Sequence, residues 1–73
     1  MNTTQDAQFT DSQWSEMDWI TTWLENHPGQ HSSSVIARGT RIENIYPLLR
    51  WMDQNRHVAA DGNGRLRRYG SRG

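Results

Sequence analysis

In SQWSEMDWITTWLENHPG the apolar residues Met17, Ile20, Trp23 and Leu24 recur at three- and four-residue steps, with Gln13 and Thr21 at the margins. That spacing gathers them on one side of an α-helix. Asp11 or Ser12 can cap its start, the acids of the first turns suit the positive end of the helix dipole, and Pro28-Gly29 stops it. Residues 1–10 are polar and aperiodic and read as a flexible arm.

The next pattern is QHSSSVIARGT, where a serine cluster offers an N-cap and Val35, Ile36 and Ala37 form a short apolar patch. It predicts a short helix from about Ser33 to Arg38. In TRIENIYPLLRWMDQNR, Ile42, Ile45, Leu49 and Met52 line one side, flanked by Leu48 and Tyr46. The opposite side carries Glu43, Asn44, Pro47, Arg50, Trp51 and Gln54. Pro47 inside a helix removes a backbone hydrogen bond and presses on the carbonyl of Glu43, at about 3 kcal/mol. Two arrangements relieve this. Thr40 and Glu43 can form a capping box, with the helix starting at Arg41 and bending at Pro47. Alternatively Asn44 caps the helix and Pro47 stands at its third position, where the missing N–H would have been unpaired anyway. The unbroken apolar spacing favours a helix over about 41–55. Last, His57–Ala60, the turn Asp61-Gly62-Asn63-Gly64 and Arg65–Tyr69 read as strand, turn, strand.

These elements predict an α+β domain over 11–70, three helices followed by a two-stranded hairpin, with 71–73 as a flexible tail. The run SSSVIARGTRIENIYPLLRWMDQNRHV and the hairpin DGNGRLRRYG resemble the winged helix-turn-helix DNA-binding family. In that family a small-polar cluster precedes an "IA" pair, a glycine-containing turn opens the third helix, and an aliphatic-Tyr step leads through leucines to the first wing strand. This chain departs from it in a shorter turn before Ile45 and in Pro47 within the presumed recognition helix. The resemblance implies that the third helix enters the major groove of double-stranded DNA and that the hairpin acts as a wing.

Charge adds to that picture only once the chain is divided. The formal net charge is zero, yet residues 1–37 carry Asp6, Asp11, Glu16, Asp18 and Glu25 with no Lys or Arg. Residues 38–73 carry all eight arginines against Glu43, Asp53 and Asp61, so the halves stand at −5 and +5. Such asymmetry points to a polyanionic partner or to mutual attraction of the two halves. Arg65, Arg67 and Arg68 sit beside a glycine-rich turn, where cations reach phosphates without being buried. Arg38 and Arg41 are placed for phosphate as well. Asn44, Arg50 and Gln54 have side chains able to read base edges.

Trp14, Trp19 and Trp23 enlarge a small core or form an interface, most simply that of a homodimer. The alternative function is a protein-interaction module presenting Trp51, Pro47 and the acidic first helix to a protein partner, a reading that zero net charge favours. A third is single-strand or structured-RNA binding by stacking on Trp51 and Tyr46. Enzyme chemistry is not expected. Pro-Gly between His27 and His31 prevents the helical facing of a two-histidine metal site, and a serine cluster before a helix is a cap rather than a nucleophile. No glycine loop precedes a helix to cradle phosphates, so neither metal nor cofactor is expected. Cysteine is absent, which suits a reducing compartment. Without a signal peptide or an apolar run near the length of about 20 that a membrane span needs, a cytoplasmic protein with no membrane contact is expected. The expected role is a small transcriptional regulator, of a size suited to a phage, plasmid or other mobile element.

Overall fold

A computed structural model describes residues 9–72. Three helices and a three-stranded antiparallel sheet follow in the order α1 (Asp11–Asn26), β1 (His31–Ser32), α2 (Ser33–Thr40), α3 (Tyr46–Gln54), β2 (Ala59–Asp61) and β3 (Arg68–Gly70). The α+β class is as expected. The third strand is an addition: β1, too short to leave a periodic signal, pairs His31 with Tyr69 and Ser32 with Arg68. β3 is therefore central, in the order β1-β3-β2.

The cap of α1 is Thr10, neither Asp11 nor Ser12. Its hydroxyl accepts from the Gln13 amide at 3.1 Å, and its own amide donates to Gln13 Oε1 at 2.8 Å. This reciprocal pair satisfies two amides at the helix start. Of the expected arm, residues 1–8 lie outside the described residues, while Phe9 packs against the core and Thr10 forms the cap. As the periodicity predicts, α1 buries Met17, Ile20, Trp23 and Leu24.

Ser32 caps α2, accepting from the Val35 amide at 3.3 Å. The helix then runs two residues past the expected Arg38, and its end overturns the expected helix over 41–55. The Thr40 hydroxyl donates to the Ile36 carbonyl at 2.7 Å, so it is spent inside α2 and forms no capping box with Glu43. Arg41 is left-handed at φ 64° and closes the helix with its amide on the Ala37 carbonyl at 2.8 Å. The chain then turns through 41–45, and α3 begins at Tyr46 with Ile45 at its N-cap and no side-chain cap bond. Asn44 therefore does not cap it either. Pro47 lies in the first turn, where a missing N–H costs nothing and no kink is needed. Ile42 and Ile45 are buried from the turn, which is why their spacing imitates a longer helix.

The core draws on every layer: Met17, Ile20, Trp23 and Leu24 of α1, Ile36 of α2, Ile42 and Ile45 of the turn, Leu48, Leu49 and Met52 of α3, Val58, and Tyr69 of β3. Gly39 lets α1 and α2 approach, because a Cβ there would stand 2.4 Å from the Trp23 indole. Trp19 Nε1 donates to the Thr40 carbonyl at 3.0 Å and ties the same two helices through a partly buried contact.

The expected hairpin forms, with Ala59 opposite Gly70, Ala60 opposite Tyr69 and Asp61 opposite Arg68, but its connection is longer than the tetrapeptide turn. Residues 62–67 make the reversal, with Gly62 at φ 89° and a single 3-10 turn at Gly64–Leu66. Arg65 and Arg67 thus belong to the connection, and Arg68 alone of the three arginines is in a strand.

Candidate nucleic-acid interface

The exposed side of α3, the start of α2 and the β2–β3 connection border two open hollows. One, of about 410 Å³, is lined by Ser32, Ser33, Ser34, Tyr46, Gly64, Arg65, Arg67 and Tyr69. The other, of about 230 Å³, is lined by Tyr46, Arg50, Asp53, Gln54, Arg67 and Tyr69. Tyr46, Arg67 and Tyr69 are common to both, so the two hollows adjoin and together make up the groove. Each wall has a local cause. Burial of Leu48, Leu49 and Met52 leaves Tyr46, Arg50 and Gln54 exposed on α3, at successive four-residue steps that share one face. Pairing of β1 with β3 brings the start of α2 beside the β2–β3 connection. The Tyr69 side chain is buried, and that burial raises its phenol above the ordinary pKa.

Arg67 dominates the local electrostatics. Its Nε and Nη2 donate to Asp53 Oδ2 at 3.0 and 2.6 Å, while Nη1 donates to the Gly62 carbonyl at 2.7 Å. The hydrogen bond to Asp53 is the main reason that its pKa is raised above the ordinary arginine value. This is the one ion pair among the described residues, and both partners come from the second half of the chain. The acids of α1 form no ion pair with the arginines, and α1 contributes no residue to the groove.

Arg50, Gln54 and Arg65 line the groove and are exposed. Arg67 also lines it, but its guanidinium is engaged. Arg38 on α2, Arg41 and Asn44 in the following turn, and Arg68 on β3 are exposed but are not among the residues lining it.

The tryptophans expected at an interface divide three ways. Trp23 is a correction, being 7% exposed and covered by the core and Gly39. Trp14 is half-buried, edge-to-face with Phe9 and Trp51 at centroid separations of 5.3 and 5.1 Å. Trp19 keeps 45% exposure. Trp51 does not stand on the open face of α3: it meets Phe9 and Trp14 edge-to-face and stacks on His57 at 5.2 Å.

Ser33, Ser34 and Asp53 were not anticipated as site residues, and Tyr46 was anticipated only for stacking on single strands or structured RNA. The serines were legible as a cap and Tyr46 as a core flank, but nothing local in the sequence brings Asp53 to Arg67. No protein-family model matches the chain, and neither a curated protein nor a solved structure matches it.

Proposed function

We propose that this chain binds double-stranded DNA sequence-specifically, as a small transcriptional regulator with a winged-helix architecture. The observation that carries the reading is the pair of adjoining hollows, one lined by Arg50 and Gln54 of α3 and the other by Arg65 of the β2–β3 connection and the serine-capped start of α2, with Tyr46, Arg67 and Tyr69 common to both. The element order and the β1-β3-β2 sheet support it, with α3 as the reading helix and residues 59–70 as the wing.

The chemistry follows from the side chains. A helix fits the major groove, where arginine forks onto guanine O6 and N7 and glutamine onto adenine N6 and N7. Arg50 and Gln54 take these roles. Arg65 and the hydroxyls of Ser33 and Ser34 take phosphate oxygens, helped by the positive end of the α2 dipole. Asp53 is the one carboxylate lining the two hollows, and Asp61 lies at the start of the wing. No helix among the described residues is long and apolar enough to cross a membrane. Pairing of two copies would set two reading helices on a two-fold operator, and Trp19, the exposed tryptophan, is the ring we assign to that contact.

Fluorescence anisotropy with a random-sequence duplex tests this reading. Binding at about 50 mM salt is expected to weaken as salt rises, with a log–log slope of about −0.9 for each phosphate that an arginine neutralises. No duplex binding at that salt, or salt-independent binding, would remove the proposal.

A further inference from the structure

We propose that Asp53 and Arg67 form an intramolecular latch that holds the wing against the reading helix and keeps Arg67 off the DNA phosphates. The inference rests on the DNA-binding reading and concerns the one carboxylate in that groove.

An acid on a surface that meets a polyanion is a liability unless something neutralises it. Asp53 is neutralised from within. Arg67 spends Nε and Nη2 on one carboxylate oxygen and Nη1 on the Gly62 carbonyl, so a single guanidinium joins α3 to the far end of the β2–β3 connection. Lysine, with a compact ammonium, would not reproduce that planar fork. The joined segment is itself constrained. Gly62 is at φ 89°, and a Cβ there would stand 2.6 Å from the Leu66 carbonyl oxygen. Between these two fixed points lie Gly64 and Arg65, the part of the wing that lines the groove. Asp53 therefore has two effects: it positions Arg65 relative to Arg50, and it competes with phosphate for Arg67.

This assignment reverses the sign expected of a simple phosphate contact. Asp53→Asn is nearly isosteric and withdraws the charge that holds Arg67, so phosphate gains the guanidinium. Binding to a random-sequence duplex is expected to tighten several-fold at about 0.1 M salt, and the salt slope to steepen by about 0.9, the value for one added phosphate contact. Removing an acid from any DNA-facing surface also tightens binding, so the decisive comparison repeats the substitution in an Arg67→Ala background. The latch requires the steepening to vanish there. Its persistence without Arg67, or its absence in Asp53→Asn alone, overturns the proposal.

Amide relaxation in the DNA-free protein separates this from the functional reading. Asp53→Asn and Arg67→Lys are expected to increase the mobility of residues 62–66 while α1 is unchanged. If the native protein binds no duplex, the functional reading fails, and phosphate competition fails with it. Unchanged relaxation would then remove the positioning role as well.

Discussion

Leu48→Ala is expected to leave the domain largely unfolded at 37 °C, seen as loss of helical circular dichroism and of a cooperative thermal transition. Leu48 is fully enclosed at 0% exposure and belongs to the same core cluster as Leu49, Met52, Ile20 and Leu24. Truncating a buried leucine to alanine costs about 2–5 kcal/mol through lost burial and the cavity left behind. A single core in a chain of this size rarely supplies more than about 3–5 kcal/mol in total. Leu66 provides the comparison. It is 79% exposed in the β2–β3 connection, and Leu66→Ala is expected to alter stability by no more than about 0.5 kcal/mol. A native-like melt for Leu48→Ala would contradict the packing described above.

Arg50→Ala is expected to be the most damaging single change to recognition. With a duplex selected from a random pool by the native protein, the loss should be about 1–3 kcal/mol, or roughly 5- to 150-fold, the range for removing one bidentate base contact. Arg50 is exposed, and its removal leaves Leu48, Leu49 and Met52 in place, so the thermal transition should not move appreciably. Arg65→Ala should behave differently, weakening every duplex alike and flattening the salt slope by about 0.9. Equal binding by Arg50→Ala and the native chain would mean that α3 reads nothing at that position.

What the sequence disclosed divides along physical lines. α1 was readable in its buried face because four apolar residues repeat over a long helix with a clear stop. Its cap slipped by one residue, since Thr10 with Gln13 competes with two equally acceptable neighbours. α3 was legible as an element but not in phase. Ile42 and Ile45 sit at helical spacing while lying in a turn, so the apparent wheel began too early and put Leu48 at the flank and Trp51 in the open. Starting the helix at Tyr46 buries Leu48 and turns Trp51 toward Trp14 and His57. β1 spans two residues, and its existence depends on a distant partner at Tyr69 and Arg68. For the candidate site, Arg50, Gln54 and Arg65 could be named from residue type and position. The Asp53–Arg67 pair could not, because it depends on how the connection folds back on α3.

Backbone amide chemical-shift mapping of the native protein with a short mixed-sequence duplex tests the central claim most directly. The largest changes are expected along one path: Ser33 and Ser34 at the start of α2, Tyr46, Arg50 and Gln54 on α3, and Gly64 and Arg65 in the connection, with Asp18, Thr22 and Glu25 of α1 unmoved. Changes confined to α1, or none at low salt, would contradict it.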